Sequence, residues 1–178
     1  MDTNWPATFA ALLQDEGGYV NNPNDPGGMT NLGVTAKVWR DWKKLPTMPT
    51  EFTMRALVPA DVEPLYKFRY WGAVNGDHLP AGLDYAVFDY GVNSGPGHAA
   101  QELQELLGVT ADGKIGPGTL AAVAAGGDLG KMIALYCAGR LGYLKSLPGW
   151  ETFGDGWEPR VKRVEARALA MAGEALQG

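Results

Sequence analysis

The residue in this sequence whose position best suits acid chemistry is Glu16. Phe9, Leu12 and Leu13 recur at helical spacing, and Glu16 continues their stripe onto the face that a helix would bury. A carboxyl group there lies against an apolar wall and in a last helical turn, where the helix dipole disfavours negative charge. Both effects favour the protonated form, which a general acid for glycosidic bond cleavage requires. The same spacing also fits a solvated carboxylate at a fraying helix end, so both interpretations stay open.

A second carboxylate, Asp25, follows in a segment rich in Asn, Asp, Pro and Gly. It could supply the partner carboxylate that most glycosidases use. The sequence Asp25-Pro26-Gly27-Gly28 is equally typical of a β-turn with Asp in its first position. A calcium loop is disfavoured, because the EF-hand order of ligands and its closing Glu are absent.

Metal and thiol chemistry find little support in the sequence. His78 and His98 form no His-x-x-x-His pair, and there is no Cys-x-x-Cys pair. The single cysteine, Cys137, lies among apolar residues, where a buried small hydrophobe is the usual role. We therefore expect no metal and no other cofactor.

The elements that must position these residues are predicted to be helices, with one exception. Of the 178 residues, 46% are hydrophobic, which supports a packed core. Turn residues and alternating apolar positions in 19–34 predict a small β-hairpin, and the fold class is therefore all-α with this hairpin after the first helix. The predicted helices are 4–16, 35–42, 59–71, 80–93, 98–107, 118–125, 129–146 and 159–176, with Trp150 and Trp157 in a Gly-rich loop before the last one.

Charge and hydropathy exclude two classes of partner. The chain carries 15 Lys and Arg against 20 Asp and Glu, a net charge of −5, and binding to nucleic acid needs a basic surface instead. No apolar stretch approaches the ~20 residues that span a bilayer. The N-terminus has neither a positive start nor an apolar run, which predicts no signal peptide. Arg160, Arg163 and Arg167 of the last helix are interpreted as a solvated face rather than a membrane contact.

Several motifs together resemble a known family. Glu16-Gly17-Gly18-Tyr19 is followed by Asn22-Pro23, Asp25-Pro26-Gly27-Gly28 and Thr30-Asn31-Leu32-Gly33-Val34-Thr35. This series is similar to the N-terminal signature of the glycoside hydrolase family 108 lysozymes, found among phage endolysins. Phe88 to Gly95 resembles a second motif of these proteins. The resemblance implies a lysozyme-like catalytic part in 1–76 and a helical, peptidoglycan-binding part in 77–178, packed together as one unit.

The resemblance also assigns roles to residues. It implies that Glu16 is the catalytic acid, and that Asp25 and Thr30 position the water that attacks the sugar. The spacing between Asp25 and Thr30 is one residue shorter than in better-known phage lysozymes, so Asn31 is an alternative to Thr30. Asp89 and Asn93 share a helix face and are expected to reach the cleft, although a core hydrogen-bonded pair is the alternative. The substrate-binding residues are predicted to be Tyr19, Asn31, Tyr85, Asp89 and Asn93.

The predicted function is that of an endolysin that hydrolyses the β-1,4 bond between N-acetylmuramic acid and N-acetylglucosamine in peptidoglycan. One alternative is a lytic transglycosylase, in which Asp25 would be dispensable. Another is a wall-binding protein without catalysis. We expect a monomer made in the bacterial cytoplasm, which reaches the cell wall when a holin-like partner opens the membrane.

Overall fold

In the computed structural model, residues 4–21 and 28–175 are described, and helices dominate this part of the chain. The predicted all-α, lysozyme-like fold is confirmed. The described helices are α1 (Trp5–Glu16), α2 (Ala36–Lys43), α3 (Glu51–Arg55), α4 (Pro59–Tyr66), α5 (Leu83–Ser94), α6 (Pro96–Leu107), α7 (Pro117–Ala125), α8 (Leu129–Ser146) and α9 (Trp150–Ala175), with a π-helical turn at Lys67–Trp71 and a 3₁₀ turn at Gly76–His78. Within this part of the chain, no helix is long and apolar enough to span a membrane.

The chain divides into two compact units. The N-terminal unit comprises residues 6–68, and the C-terminal unit comprises residues 69–178 together with 1–5. The structural division therefore falls between Phe68 and Arg69. The predicted functional boundary, between a catalytic part in 1–76 and a peptidoglycan-binding part in 77–178, stays a prediction.

The N-terminal unit contains the predicted hairpin. Strands β1 (Thr30–Asn31) and β2 (Val34–Thr35) pair antiparallel, with Asn31 opposite Val34. Leu32 and Gly33 between them have φ of 50° and 74°, as a two-residue type I′ turn requires. Thr35 then begins α2, because its side chain accepts a hydrogen bond from the backbone N–H of Val38 at 3.2 Å.

The first helix of this unit ends where the sequence indicates. Gly17 follows α1 with φ of 73°, in the left-handed conformation that commonly ends a helix. The stripe of α1 is buried through Phe9 and Leu12, and the Phe9 ring packs 5.8 Å from the ring of Tyr66 in α4. The packed stripe fixes the helix, and with it the position of Glu16 in the final turn.

The C-terminal unit is built around α5. Every residue of this helix from Leu83 to Gly91 is buried, as expected of a helix with neighbours on all sides. Helices α6, α8 and α9 pack against it. A cluster of rings closes one end, where Trp5, Trp71 and Phe88 lie 5.3 to 5.7 Å apart.

The last helix begins earlier than its sequence pattern indicates. The predicted start at Pro159 and the predicted loop containing Trp150 and Trp157 are wrong, because α9 already begins at Trp150 and contains Pro159. The rings of Phe153 and Trp157 stack at 5.6 Å across one helical turn. This side-chain packing and the contact of α9 with α8 outweigh the unfavourable effect of an internal proline and of Gly154 and Gly156.

Candidate active site

The carboxylate of Glu16 lies over the hairpin turn of the N-terminal unit. Glu16 is the last residue of α1, and its side chain is half-buried. A Cβ atom on Gly33 would lie 2.6 Å from Glu16 Oε2 and would overlap the hydroxyl oxygen of Tyr66. The missing side chain of Gly33 therefore leaves the space beside its Cα that the Glu16 carboxylate and the Tyr66 hydroxyl group occupy.

Tyr66 also fixes the turn itself. Its hydroxyl group donates a hydrogen bond of 2.9 Å to the carbonyl oxygen of Leu32. Leu32 adopts the left-handed conformation, which is uncommon for a residue with a branched side chain. The sequence analysis did not identify Tyr66 as a candidate site residue.

Thr30 lies on the strand that pairs with the chain leaving α1. The backbone groups of Val20 and Thr30 exchange two hydrogen bonds of 2.8 Å each. The Thr30 hydroxyl group has one weak hydrogen bond, 3.4 Å to the carbonyl oxygen of Gly28. Among residues 4–21 and 28–175 no stronger hydrogen bond holds this hydroxyl group, which leaves it able to bond to a water molecule. Asp25, the predicted second carboxylate, lies outside the described residues.

Asn31 supports the hairpin from beneath rather than facing solvent. Its side chain is only 5% exposed. Its amide nitrogen donates to the carbonyl oxygens of Met54 at 2.8 Å and Leu57 at 3.4 Å, at the end of α3. These bonds give Asn31 a structural role, and leave little of its amide for the predicted contact with substrate.

Tyr19 is partly covered by a cation. The guanidinium carbon of Arg55 lies 4.1 Å from the centre of the Tyr19 ring, and Glu51 holds Arg55 through an ion pair of 2.8 Å. The Tyr19 hydroxyl group is buried and has no hydrogen-bond partner among residues 4–21 and 28–175. A sugar ring could therefore stack only on the face of Tyr19 opposite Arg55.

The other predicted substrate-binding residues belong to the C-terminal unit, and two of them are in its core. Tyr85 and Asp89 have no exposed surface. Asp89 Oδ1 accepts a hydrogen bond from Arg140 Nη1 at 2.7 Å, and Oδ2 accepts one from Arg160 Nη2 at 2.9 Å. A carbohydrate cannot reach either side chain in this structure, so the predicted substrate contacts of Tyr85 and Asp89 are replaced by structural roles.

The two arginines decide the charge state of Asp89. Burial alone would raise the pKa of this carboxyl group, but the charges and hydrogen bonds of Arg140 and Arg160 lower it below its ordinary value. Asp89 is therefore ionised and joins α5 to α8 and α9. Asn93, one turn further along α5, is exposed and donates to the Asp89 carbonyl oxygen at 2.8 Å. Asn93 also donates to Asp89 Oδ1 at 3.4 Å, so the two residues are hydrogen-bonded with Asp89 in the core and Asn93 at the surface, and the substrate contact of Asn93 stays a prediction.

The described residues offer neither a group of metal ligands nor a reactive thiol. Among the described residues, no three His, Cys, Asp or Glu side chains form a group that could hold a metal ion. Burial raises the pKa of the Cys137 thiol to about 12, so the thiolate is scarce near neutral pH.

Comparison with known proteins assigns both halves of the chain. Residues 9–95 match the family model described as glycosyl hydrolase 108, and residues 98–162 match the model described as a predicted peptidoglycan domain. The chain is similar to the solved structure of SagA from Brucella abortus, with 40% identity, a TM-score of 0.83 and coverage of 95% of each chain. No curated protein matches the chain. The first match contains both the hairpin with Glu16 and the buried helix α5.

Proposed function

The chain belongs to the glycosyl hydrolase 108 family, a premise from which we propose that it is a muramidase with Glu16 as its general acid. The family and the peptidoglycan domain make it a glycoside hydrolase that acts on peptidoglycan. The proposed bond is the β-1,4 bond between N-acetylmuramic acid and N-acetylglucosamine. The proposed role in the host is lysis of the cell.

The observation that carries the proposal is the convergence of the Glu16 carboxylate and the Tyr66 hydroxyl group over Gly33. In the proposed reaction, Glu16 gives its proton to the glycosidic oxygen while the bond from that oxygen to the anomeric carbon breaks. Tyr66 supports this step by fixing the turn beside the carboxyl group through its hydrogen bond to Leu32, and Gly33 supports it by leaving room for that group. The proton donor must have a fixed position, and the packing of the apolar stripe of α1 fixes the position of Glu16.

We assign the second half of the reaction to Asp25 and Thr30. A water molecule attacks the anomeric carbon and passes a proton to the Asp25 carboxylate, while the Thr30 hydroxyl group orients the water. The family resemblance and the weak hydrogen bond of Thr30 support this assignment. A separation of about 6.5 to 9.5 Å between the two carboxyl groups would give inversion, and about 5 Å would give retention.

Product chemistry tests the proposed reaction. Purified sacculi are digested with the wild-type enzyme, and the soluble fragments are identified by mass spectrometry. A muramidase releases fragments with reducing N-acetylmuramic acid ends. Anhydro ends would show a lytic transglycosylase instead, and binding to sacculi with no soluble fragments would show a wall-binding protein without catalysis.

The proposed route to the wall follows from the family analogy. The enzyme accumulates as a monomer in the cytoplasm and reaches peptidoglycan when a holin-like partner opens the inner membrane. Expression with and without a holin gene tests this route. Equal appearance of the enzyme outside intact cells without a holin would contradict it.

A further inference from the structure

The C-terminal unit carries an open groove where α6, α7 and α8 meet. Its volume is about 450 Å³, which lies within the ~300–1,000 Å³ of most small-molecule sites. One of its wall residues, Leu135, is 47% exposed, and an apolar groove that solvent reaches is typical of interaction sites. The apolar lining consists mainly of Leu106, Leu107, Ala122, Ala125, Met132 and Leu135.

The groove also carries one charge of each sign. Asp128 and Lys131 line it where α8 begins. Asp128 Oδ1 accepts a hydrogen bond from the backbone N–H of Lys131 at 3.0 Å, which holds the carboxylate at the start of the helix. The side chain of Lys131 is exposed at the rim. Such a groove suits a ligand that combines small apolar groups with charges of both signs, and it does not suit a purely apolar chain.

From the groove, a seam between α6 and α8 leads to a pair of aromatic rings. The positions that face each other across this seam recur every four residues on both helices, so they lie on one face of each helix. In order from the groove, the facing pairs are Leu106 with Leu135, Glu102 with Gly139, and His98 with Tyr143. Groove and seam therefore form one continuous surface, which we call the α6–α8 surface.

The end of this surface away from the groove offers aromatic rings. The ring centres of His98, which is exposed, and Tyr143, which is partly exposed, lie 5.2 Å apart with a tilt of 31°. The ring of the buried Tyr90 lies 6.0 Å from that of Tyr143 and braces it from beneath. Aromatic side chains combine a large apolar area with a polar atom at the edge. This combination suits the C–H face of a sugar ring and its hydroxyl groups.

A half-buried carboxyl group lies between the rings and the groove. A Cβ atom on Gly139 would overlap Glu102 Oε1, so the missing side chain leaves the space that this carboxyl group occupies. Burial, and after it the charge of Glu105, raise the pKa of Glu102, and no hydrogen bond or basic group of the described residues offsets these effects. A hydrogen bond from a ligand N–H group would satisfy the Glu102 carboxyl group.

The length of the α6–α8 surface matches a sugar joined to a short peptide. Leu135 and Tyr143 are eight positions apart, which is ~12 Å along a helix. An extended peptide spans ~3.3–3.6 Å per residue, so about three to four residues reach from the rings to the groove. In peptidoglycan, N-acetylmuramic acid carries a stem peptide with alanine methyl groups, carboxylates and the amino group of a diamino acid. The methyl groups match the apolar lining of the groove, and the charges match Asp128 and Lys131.

We propose that the α6–α8 surface binds one muropeptide unit of peptidoglycan, with the sugar on the rings of His98 and Tyr143 and the stem peptide in the groove. The whole surface lies within residues 98–162, which match the predicted peptidoglycan domain. The inference rests on the proposed function only in taking peptidoglycan as the ligand. It gives the C-terminal unit a site that contacts both sugar and peptide, whereas the N-terminal unit cleaves the glycan.

The test is a titration of the full-length protein with an N-acetylmuramyl tetrapeptide of L-alanine, D-glutamate, diaminopimelate and D-alanine, followed by ¹⁵N NMR. The backbone signals of Ala125, Leu135 and Tyr143 should shift and saturate. The free tetrapeptide and N-acetylmuramic acid should each bind about tenfold more weakly or worse, because each fills only one end of the surface. The probe contains a single sugar, so its binding is independent of whether Glu16 cleaves peptidoglycan.

Two glycines give a matched pair of variants for the seam. Gly139→Ala would displace the Glu102 carboxyl group and should weaken binding of the muramyl tetrapeptide about tenfold. Gly156→Ala places the same methyl group in α9, where it meets no atom of the described residues within 4 Å, and should keep the affinity within about twofold. Both variants replace a helical glycine by alanine, so their effects on helix propensity are similar.

Two alanines of α7 test the groove in the same way. Ala125→Leu adds bulk in the groove and should weaken binding of the muramyl tetrapeptide about tenfold. Ala124→Leu places the same bulk on the neighbouring exposed residue, which does not line the groove, and should keep the affinity within about twofold. His98→Ala tests the ring end, and it should reduce the advantage of the muramyl tetrapeptide over the free tetrapeptide to about twofold.

Four results would overturn the proposal. They are a lack of saturable shifts with the muramyl tetrapeptide, equally tight binding of the free tetrapeptide, equal affinity of Ala125→Leu and Ala124→Leu, and shifts of the same signals when the free protein is diluted. The last result would show that a second copy of the chain covers the surface. Failure of the proposed muramidase function is a separate observation, since it would appear as a lack of reducing ends in digested sacculi.

Discussion

At the scale of single residues, the position that controls the candidate active site is a glycine. Gly33 adopts φ of 74°, and the Glu16 carboxylate and Tyr66 hydroxyl group occupy the space next to its Cα. Both the turn and the carboxylate position therefore depend on the absence of a side chain. The motif containing Gly33 was recognised from the sequence, but its contact with Tyr66 was not, because no local pattern joins two residues so far apart in the chain.

Replacement of Gly33 by alanine should damage both activity and stability. The added methyl group would displace the Glu16 carboxyl group and the Tyr66 hydroxyl group, and a left-handed alanine adds strain of ~1 kcal/mol. We expect activity on sacculi to fall about tenfold or more per folded molecule, in line with the effect of small misplacements of catalytic groups. Initial rates and thermal unfolding measure the two effects.

Substitutions of two other glycines distinguish backbone strain from displacement of Glu16 as the cause of lost activity. Gly17→Ala adds left-handed strain at φ of 73°, but its methyl group meets no atom of the described residues within 4 Å. Gly18→Ala introduces neither strain of this kind nor a contact with the described residues. Gly17→Ala should lower stability while keeping most activity, and Gly18→Ala should resemble the wild type. If Gly33→Ala lost no more activity than Gly17→Ala, the proposed space for Glu16 would be contradicted.

The raised pKa of the Asp84 carboxyl group predicts that the stability of the protein depends on pH. Burial raises the pKa of Asp84 from 3.8 to about 6, although hydrogen bonds from Tyr85, Asn4 and Gly82 oppose the shift. Between these values the folded protein keeps a proton that the unfolded chain has lost, so this residue lowers stability as pH rises from about 4 to 6. The contribution is about 3 kcal/mol at most.

The variant Asp84→Asn removes this titration while keeping an oxygen that accepts the same hydrogen bonds. Its free energy of unfolding, relative to that of the wild type, should be greater at pH 7 than at about pH 4, by roughly 2 kcal/mol. Unfolding in urea at both pH values gives the comparison. A difference that does not change with pH would show that Asp84 has no raised pKa.

At the scale of elements, the hairpin is held by α3 as well as by its own strands. Asn31 is buried, and its amide joins β1 to the carbonyl oxygens that end α3. Thr30, the preceding residue, has one weak side-chain hydrogen bond within the described part of the chain. Adjacent residues on one short strand thus have different expected roles, Asn31 in stability and Thr30 in chemistry.

Alanine substitutions should separate these roles. Asn31→Ala leaves two carbonyl oxygens without their donor and should lower the free energy of unfolding by about 1 to 3 kcal/mol. Thr30→Ala should cost below ~1 kcal/mol but reduce kcat on sacculi about tenfold or more, since an unoriented water attacks more slowly. Denaturant unfolding and initial rates distinguish them. Loss of kcat in a fully stable Asn31→Ala protein would instead support a direct role for Asn31.

Local sequence patterns predicted most helices, but they did not predict where α9 begins. The predicted bounds of α8 agree with the structure, because Asp128 caps its start and a regular apolar pattern follows. The pattern of α9 was read as starting at Pro159, since proline and glycine normally interrupt a helix. Ring contacts among Trp150, Phe153 and Trp157 within the helix, together with its packing against α8, extend α9 to Trp150, and the packing against α8 is tertiary and is not visible in periodicity.

At the scale of the whole molecule, the chain combines two units with different chemistry. The N-terminal unit places Glu16, at the end of α1, beside a hairpin that the sequence already indicated. The C-terminal unit has a buried ion cluster whose partners lie 51 and 71 residues from Asp89, so the sequence indicated the carboxylate but not its arginines. An Asp and an Asn four residues apart on a helix are compatible with a cleft or a core, and only the packed structure decides between them.

The measurement that tests the central claim most directly is a digest of purified sacculi by the wild type and by Glu16→Gln. Asp15→Asn, which removes a charge from the neighbouring residue of the same helical turn, is the matched control. Binding to sacculi and helicity should be equal in all three proteins.

We predict that the wild type and Asp15→Asn release fragments with reducing N-acetylmuramic acid ends at similar rates. Glu16→Gln should lose activity by a factor of about 100 or more, as expected for removal of a general acid. Release of the same fragments by Glu16→Gln at the wild-type rate would contradict the account, because another group would then have to donate the proton.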